Sequence, residues 1–508
     1  ATFGANQRYL NRQEEHASTT QLIVPEVFTL QNSVDQVTPR SYKYSQGVYS
    51  AYAVADFSYR NQVFFGMTGR VDKSSTLPEA NDTFFYPSVY SSIVLSDMVK
   101  FPKAISYLKL RTAYAQVGGD LGIYEATNSY GTGRFRNLPT ANFPGTLENP
   151  NLRPSFTNSF EYGFEMKFLD NRLGIDFSYY ENQNGPQIFT QPFSNASAYN
   201  GVLLNGRTTE RRGMDFSITA IPIRTRDFNW SAIINFDKSK NYLTSLPPLP
   251  DGTVPEWEGD AGASFRNKVG TPIGDYYYYV WQRSPDGQLI IFENGLPKRT
   301  DFKVNTGNTQ PDFIASINNS ISYKNVSMNF LFDGRFGGVT QDAYERDLWR
   351  AGGHPDAIHP ERELSNIAYV NGTDAKTMQI EGVRIVSGEA TYDPNGNIVT
   401  DTRIFEPSTY KVDYQSWASR YKADWPSVIK DKSFIKLREV VLSYDFGKKV
   451  LDKTFLDSAS ISVVGRNLWY WTKDHYYGDL DTYSLAQGDT GLQLPSQRSI
   501  GFNLNVSF

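Results

Sequence analysis

The chain contains no cysteine among its 508 residues. Without thiols it can form no disulfide, bind no metal through thiolates and use no cysteine nucleophile. Histidine is also scarce: there are four, and two of them, His354 and His359, lie five residues apart with a proline after each. This spacing favours a loop over a metal-binding helix face, so a chance pair of surface histidines is a simpler interpretation than a zinc site.

The chain also lacks an excess of charge of one sign. Its 50 Lys and Arg residues nearly balance 54 Asp and Glu residues, which gives a net charge of −4. A protein that binds nucleic acid or anionic lipid through its overall field needs a basic excess. The composition therefore argues against nucleic acid as a partner.

Motifs of enzymatic chemistry are missing as well. The sequence has no GxSxG, HExxH or phosphate-binding loop, and its carboxylates are scattered, so no glycosidase-type pair can be nominated. We predict no enzymatic activity, no catalytic residue and no cofactor.

No run of 18 or more apolar residues occurs, so the sequence predicts no transmembrane helix. A β-barrel that spans a membrane shows instead segments of about ten residues with alternating polarity. Hydrophobic residues make up 39% of the chain, below the usual figure of about 45 to 50%, yet aromatics reach 15%. This composition favours a single layer of alternating apolar residues over a thick aliphatic core.

Alternation is clearest in the last ten residues, "SIGFNLNVSF", where positions 500, 502, 504, 506 and 508 are apolar. The same pattern recurs along the chain and predicts an all-β, antiparallel protein of about fourteen strands. The predicted strands are 1–9, 47–59, 62–72, 85–97, 105–117, 157–168, 172–182, 212–224, 228–238, 311–323, 326–336, 434–446, 458–466 and 499–508.

Short and long connections alternate between these strands. The short ones are 60–61, 98–104, 169–171, 225–227, 324–325 and 447–457, and the long ones are 10–46, 73–84, 118–156, 183–211, 239–310, 337–433 and 467–498. Because antiparallel neighbours swap ends at each link, all short turns fall on one rim and all long loops on the other. Outer-membrane barrels have this arrangement, with short periplasmic turns and long extracellular loops. We expect any helix to lie in the loops.

The alternation of short and long connections also fixes the direction of the last strand, which runs toward the rim with the short turns. We predict that it closes a barrel, with lipid-facing and lumen-facing residues in alternation. The lipid-facing set is Phe502, Leu504, Val506 and Phe508, and the lumen-facing set is Asn503, Asn505 and Ser507.

Seven segments, taken together over nearly the whole chain, resemble SusC-like TonB-dependent outer-membrane transporters. They are "YLKLRTAYAQVGGD" (107–120), "NPNLRPSFTNSFEYGFEMKFLDNRLGIDFSYY" (149–180), "RRGMDFSITAIPIRTRDFNWSAIINF" (211–236), "QPDFIASINNSISYKNVSMNFLFDGRFGG" (310–338), "FIKLREVVLSYDF" (434–446), "GRNLWYWTK" (465–473) and "LPSQRSIGFNLNVSF" (494–508). A further stretch, "GRVDKSSTLPEANDTFFYPS" (69–88), is similar to the oligopeptide-importing branch of that family.

The resemblance implies a transmembrane barrel of 22 strands in the bacterial outer membrane, in contact with lipid and lipopolysaccharide. It implies a plug and a TonB box that would precede Ala1, so residues 1–508 would be the C-terminal portion of the barrel. A self-contained barrel of fourteen strands is the alternative. The implied partners are the TonB complex, a SusD-like surface lipoprotein, and a peptide or glycan ligand. Phe508 resembles the terminal signal that the outer-membrane assembly machinery recognises.

Two stretches depart from the family pattern. The family's Asp-rich calcium-like segment appears here as "DGQLIIFENGLPKRTD" (286–301), which lacks clustered Asp ligands. The acidic segment after "GRNLW" appears as "YYGDLDTYS" (476–484), where Asp479 and Asp481 are weak metal candidates. A loop capped by its own Asp side chains is the simpler interpretation of the second stretch.

The long loops carry aromatic residues that could contact substrate or a lid protein. The candidates are Trp281, Tyr344, Trp349, Trp417 and Trp425. Flat rings can stack on sugars or clamp peptides, and the same rings can instead fill the core of a loop. The 97-residue link 337–433 is too long for a passive connector, and its stretches "RDLWRAGGHPD" and "YQSWASRYKADWP" are the expected contact regions.

The favoured function is TonB-dependent import of oligopeptides or oligosaccharides together with a SusD-like lipoprotein. A passive porin or a structural barrel is the alternative, and a plug with a TonB box would separate the two. A soluble all-β adhesin is a third hypothesis, which predicts purification without detergent.

Overall fold

The computed structural model describes residues 1–508 except 127–129, 136–137, 193–198, 249–251, 259–263, 394–396, 453 and 475–495. Within these residues one large antiparallel sheet dominates, and the fourteen strands of its continuous path correspond in order to the fourteen predicted ones. They are β1 Thr2–Ser18, β2 Thr38–Tyr59, β3 Val63–Ser74, β4 Thr83–Val94, β5 Ile105–Gly119, β6 Ser155–Phe168, β7 Leu173–Pro192, β8 Gly201–Arg224, β9 Phe228–Ser245, β10 Phe313–Tyr323, β11 Val326–Phe336, β12 Phe434–Asp445, β13 Ser458–Thr472 and β14 Ser499–Ser507. The all-β prediction is therefore confirmed.

Each strand of the sheet pairs with its neighbours in the sequence, in the order β1 to β14. Register is continuous through most pairs; for example, Phe177 of β7 lies opposite both Phe164 of β6 and Phe216 of β8. Among the described residues, β1 pairs only with β2, and β14 only with β13. The two outer edges of the sheet thus carry backbone groups that no described strand pairs.

The short turns follow from local chemistry. Arg60 and Asn61 have φ values of 51° and 56°, and Leu169, Asp170 and Asn171 have φ values of 53°, 55° and 64°. Positive φ gives a tight turn the twist that two antiparallel strands require, and Asn and Asp tolerate it better than most residues. The turns before β3 and before β7 both lie on the predicted short-turn rim.

Several hairpins on the opposite rim are longer than the sequence predicts. β7 and β8 remain paired from Leu173–Ala220 up to Pro192–Gly201, so most of the predicted loop 183–211 is strand. β1 and β2 likewise pair out to Ser18–Thr38 within the predicted loop 10–46. The predicted ends of β7 and β8 were wrong because their extensions lack strict alternation: Ile188 is followed directly by Phe189, and Val202 by Leu203 and Leu204. A strand needs about ten residues to cross a bilayer, so the extensions project beyond it.

The register sorts side chains onto an apolar and a polar face. Ile234 of β9 lies between Ile218 of β8 and Ile317 of β10, whereas the adjacent Ile233 lies between Thr219 and Asn318. The face that carries Ile218, Ile234 and Ile317 is expected to meet lipid, and the opposite face, with Thr219 and Asn318, lines the inner side.

The polar face carries ion pairs across strands. Arg111 of β5 contacts Asp176 of β7 at 2.6 Å and Glu161 of β6 at 3.7 Å, and Arg438 of β12 contacts Asp333 of β11 at 2.6 Å. Charged groups of this kind would be very costly against lipid, which assigns this face to the lumen.

The remaining elements are short and lie in the connections. Two α-helices, α1 Ala343–Ala351 and α2 Pro360–Val370, both lie in the link before β12, as expected. Other helical turns are Leu30–Asn32, Glu79–Asn81, Leu95–Asp97, Pro355–Ala357, Tyr414–Ser416, Trp417–Lys422, Trp425–Val428 and Lys448–Leu451. Small strands are Gly131–Phe135, Leu138–Asn142, Thr146–Leu147, Trp257–Glu258, Phe265–Lys268, Asp275–Tyr278, Val304–Asn308, Val339–Gln341, Met378–Gln379, Val383–Ser387, Ala390–Tyr392, Ile398–Asp401, Ile404–Pro407, Lys411–Val412 and Ile429–Asp431.

None of the helices in the described part of the chain is both long enough and apolar enough to cross a membrane.

Candidate functional site

The two longest connections fold together into one unit. We call the described residues of 264–310 and 337–433 the loop domain. The backbone N–H of Ile291 donates to the carbonyl of Val383 at 2.8 Å, and the N–H of Val383 donates to Leu289 at 2.8 Å. These bonds form a parallel bridge between chain segments almost a hundred residues apart, so the two loops are held in one structure.

The loop domain has a hydrophobic core of its own. The buried residues of this core are Ile291, Trp349, Ala357, Met378, Ile380, Val412, Tyr414, Ala418 and Ala423. Both loops contribute, and each large apolar side chain buried there stabilises the fold by about 1.5 to 3 kcal/mol. A packed core makes the loop domain a rigid support for a binding site rather than a set of independent loops.

Helix α1 positions two side chains of interest. Asp342 caps its start by accepting the N–H of Glu345 at 2.9 Å, and Gly352 ends it in the left-handed region with φ 71°. Arg346 and Trp349 are three residues apart and therefore share one side of the helix. Trp349 packs in the core of the loop domain, and Arg346, one turn earlier, contacts the ring of Trp425.

Two of the predicted contact residues belong to the packing of the loop domain. Trp349 is 5% exposed and stacks on His354 with 4.0 Å between ring centroids. Trp417 meets Trp349 edge-on at 5.5 Å. Tyr344 lies in the first turn of α1, half-buried. Trp349 and Trp417 therefore have the alternative role considered for these rings, which is to pack the interior of a loop.

The histidines also have a structural role that the sequence did not predict. His354 Nδ1 accepts the N–H of Asp356 at 3.1 Å, and His359 Nδ1 accepts the N–H of Glu361 at 3.2 Å. Each imidazole thus caps a helical turn that begins with the following proline. His354 is 5% exposed, so the prediction of two surface histidines was wrong for it.

The other two predicted tryptophans, Trp281 and Trp425, line the same cavity of about 570 Å³. The loop 278–301 forms one wall, and α1 and residues 419–425 form the others. We call it the arginine–tryptophan cavity, because a guanidinium group covers one face of each ring. The Cζ of Arg346 lies 4.1 Å from the Trp425 ring centroid, and that of Arg299 lies 4.8 Å from the Trp281 centroid.

A buried carboxylate lies at the centre of this arrangement. Asp424 is 6% exposed, and its Oδ1 accepts a hydrogen bond from Arg299. Burial raises the pKa of Asp424 to about 6, although Arg299 acts in the opposite direction. Burial also lowers the pKa of Arg346, and its neighbour Arg350 adds to that shift.

Three polar atoms in the cavity wall have unmet hydrogen-bonding capacity. Trp281 Nε1, Arg346 Nε and Asp424 Oδ2 are buried, and none has a hydrogen-bond partner among the described residues. A buried polar group without a partner is costly, so the wall offers two donors and one acceptor to a bound molecule.

A second and larger cavity, of about 1110 Å³, opens between α1, α2 and residues 413–418. Trp349, His359, Tyr369 and Tyr414 are among its lining residues. Its walls mix aromatic and charged groups without the paired arginines and tryptophans of the first cavity.

Metal binding finds no support in the described part of the chain, where no group of three or more His, Asp or Glu residues could hold an ion. Asp479 and Asp481 lie outside the described residues. The segment 286–301 instead supplies one wall of the arginine–tryptophan cavity.

The apolar side chains of β14, the predicted closing strand, lie on one face, and all residues of this edge strand are exposed. Phe502, Leu504 and Val506 are 78%, 64% and 48% exposed, and they lie opposite Val463, Ile461 and Ala459 of β13. Phe508 follows the last residue of β14 and is 84% exposed.

Sequence reasoning did not identify Arg346, Arg299 and Asp424 as site residues. Arg346 and Asp424 lie within the two stretches singled out as contact regions, so the location was indicated but the chemistry was not. The pairing of Arg299 with Asp424 spans 125 positions, and no local pattern encodes it.

Comparisons with known proteins agree with this architecture. Residues 2–332 match the family described as TonB dependent receptor-like, beta-barrel. The chain is 23% identical to TonB-dependent receptor P3 of Formosa agariphila, over 94% of this chain and 47% of that protein. It is 25% identical to TonB-dependent receptor SusC of Bacteroides thetaiotaomicron, over 54% of this chain and 30% of that protein.

Among solved structures, the fold is similar to that of the RagAB peptide transporter, with a TM-score of 0.72 and 15% sequence identity. That match covers 99% of this chain and 53% of the other. The chain spans about half the length of the curated relatives that it matches over most of its own length.

Proposed function

Since the chain belongs to the family of TonB-dependent receptor-like β-barrels, whose members lie in the outer membrane, we propose that it takes part in the active import of oligomeric nutrients there. The imported class is oligopeptides or oligosaccharides. The family is one of transporters, and we propose no enzymatic activity for this chain.

One observation carries the proposal: a folded loop domain stands on the long-loop rim of a sheet whose other rim has only short turns. In an outer-membrane barrel the long loops face the outside. A rigid unit with a lined cavity at that position can capture a ligand before it enters the lumen. A passive pore needs no such unit.

We propose that further strands complete the barrel, with a plug and a TonB box that make this chain the C-terminal portion of the transporter. The outer edges of β1 and β14, which no described strand pairs, support this, because a membrane-spanning sheet must satisfy every backbone group. About eight more strands would give the 22 expected from the resemblance. The TonB complex would then supply the energy.

A SusD-like lipoprotein is the proposed partner at the cell surface. Apolar side chains on and near α2 support this, since Ile358, Tyr369 and Val370 are 86%, 79% and 74% exposed. A group of exposed apolar side chains on a water-facing domain is typical of an interaction site. The similarity to the RagAB peptide transporter supports a peptide ligand, and the similarity to SusC supports the lipoprotein partner.

Deletion of the plug and TonB box from the full-length parent protein tests the proposal. Energised uptake of a labelled oligopeptide mixture should be abolished, while the level of assembled barrel in the outer membrane should not change. The same loss should occur with the intact protein in cells that lack TonB.

Uptake that persists without TonB would contradict active import and support a passive porin. Extraction of the protein as a monomer without detergent would contradict the barrel and support a soluble adhesin. Mass spectrometry of the native complex would identify the co-purified ligand and separate peptide from glycan.

A further inference from the structure

We propose that the arginine–tryptophan cavity is a subsite for a carboxylate side chain of an acidic oligopeptide. The inference rests on the proposed function, because it names the class of nutrient that the loop domain selects.

The cavity has an excess of cationic side chains. Lys298, Arg299, Arg346 and Arg420 line it, against the carboxylates of Asp301 and Asp424. Asp424 is already engaged by Arg299. The cavity therefore favours an anionic group over a neutral or cationic one.

Arg346 is the centre of this excess. Its closest carboxylate is that of Asp347, with 3.8 Å between Nη1 and Oδ1, which is too long for a good hydrogen bond. Its Nε is buried with no acceptor among the described residues, and its side chain is 22% exposed. A partly buried guanidinium gains more from a carboxylate than a fully solvated one, because water screens the attraction less. Its planar group can also donate two parallel hydrogen bonds.

Trp425 holds that guanidinium in place. The Arg346 Cζ lies 4.1 Å from the ring centroid, within the range of a cation–π contact. Preorganisation of this kind lowers the entropic cost of binding.

The same contacts favour a peptide over a glycan. Sugar recognition by tryptophan uses an open ring face, and Arg346 and Arg299 each occupy one of the two faces of these rings, which reduces the area left for stacking on a sugar. A peptide backbone supplies carbonyls for the donor Trp281 Nε1 and an N–H for the buried acceptor Asp424 Oδ2. The volume of about 570 Å³ suits a few residues of an extended peptide.

The test uses the full-length protein, purified in detergent with its partner, and a matched pair of fluorescent hexapeptides. One peptide alternates Gly and Asp, the other alternates Gly and Asn, and both are amidated at the C-terminus. A glycan of similar charge, a trigalacturonate, is the third ligand. The variants are Arg346→Gln and Arg346→Lys, with Arg350→Gln as the control on the same helix, where that side chain is 54% exposed.

We expect the wild type to bind the Asp peptide about tenfold or more tightly than the Asn peptide, the ratio typical of a charge-assisted hydrogen bond. Arg346→Gln should abolish this preference, Arg346→Lys should keep part of it, and Arg350→Gln should keep all of it. Because Arg346→Lys preserves the charge and the helix, it keeps the test decisive even if Arg346→Gln folds poorly.

Equal affinity for the two peptides would overturn the proposal, and so would an equal loss in Arg350→Gln. Tighter binding of trigalacturonate than of the Asp peptide, with the same dependence on Arg346, would overturn the choice of a peptide. These measurements need no TonB. If the wild type shows no preference for the Asp peptide but its uptake depends on TonB, the subsite alone is refuted. If the wild type shows the preference but its uptake does not depend on TonB, only the import mechanism is refuted.

Discussion

The transmembrane sheet and the loop domain place their apolar residues in opposite ways. In the sheet, the apolar residues share the face turned away from the ion pairs, as with Ile234 between Ile218 and Ile317. In the loop domain, the apolar residues point inward, as with Ile291 at 2% and Val412 at 2%. The sheet is thus suited to lipid on its apolar face, and the loop domain is suited to water. The low aliphatic content of the chain follows because the sheet needs no hydrophobic core of its own.

This difference predicts where a substitution is tolerated. A charge on the outward face of the sheet meets lipid, whereas a charge on the inner face meets water. In the loop domain, the costly substitutions are those that remove buried volume. The following experiments test these contrasts in order of expected effect.

The largest effect is expected for Ile234→Arg in β9. Its neighbours Ile218 and Ile317 place it on the lipid side, where an Arg near the bilayer midplane costs about 2 to 4 kcal/mol. Quantitative immunoblotting of outer-membrane fractions should show a severe loss of assembled protein. The control Ile233→Arg, one residue away on the lumen side, should assemble nearly normally, and equal losses in the two variants would contradict the assignment of faces.

Removal of Phe508 should have the next largest effect. If the exposed terminal ring acts as an assembly signal, its loss should lower the membrane level several-fold without changing the transport rate per assembled molecule. Both quantities can be measured in the same cells. An unchanged membrane level in the truncated protein would refute the signal.

Trp349→Ala should affect the loop domain alone. Deletion of a buried tryptophan side chain typically costs about 3 to 5 kcal/mol, and this one lies in the loop-domain core. Limited proteolysis should cut residues 337–433 much faster, while the sheet keeps its heat-modifiable migration on gels. Ile358→Ala, at a position 86% exposed, is the control. If the sheet unfolds together with the loops, the two regions are not independent.

A pH-dependent effect, small for any one step in pH, is expected at Lys432, at the base of the loop domain. Its side chain is fully buried, its Nζ donates to Thr309 at 3.3 Å, and burial, together with repulsion from Arg335, lowers its pKa to about 7. Between pH 7 and the unfolded pKa of 10.5, the unfolded state binds more protons than the folded one. Stability should therefore fall as the pH is lowered through this window, by up to about 1.4 kcal/mol per pH unit.

Thermal unfolding of the loop domain between pH 7 and 9.5 measures this dependence. The slope should be reduced in Lys432→Met and retained in Lys411→Met, where the lysine is exposed. Equal slopes in both variants would refute the role assigned to Lys432.

The sequence was more informative about the sheet than about the loop domain, for a physical reason. A membrane strand is sorted by its two faces residue by residue, so alternation revealed all fourteen strands. The extensions of β7 and β8 were missed because apolar residues stand next to one another there, as at Ile188 and Phe189, so that polar and apolar positions do not alternate. In the loop domain the decisive contacts join residues far apart in the sequence. The sequence indicated Trp281, Trp349 and Trp425 as candidate contact residues. Only the folded structure shows that Trp281 and Trp425 line one cavity and that Trp349 lies in a core.

The most direct test of this account is a scan of spin-labelled cysteines along β9 in lipid vesicles. The chain has no cysteine of its own, so each introduced label is unique within it. At positions 232, 234 and 236 collisions with oxygen should dominate, and at 233, 235 and 237 collisions with a water-soluble nickel chelate should dominate. A label at Ser419 in the loop domain should contact the nickel chelate alone. If the accessibility to oxygen and to the nickel chelate does not alternate along β9, the sheet does not span a membrane with one face toward lipid and one toward water.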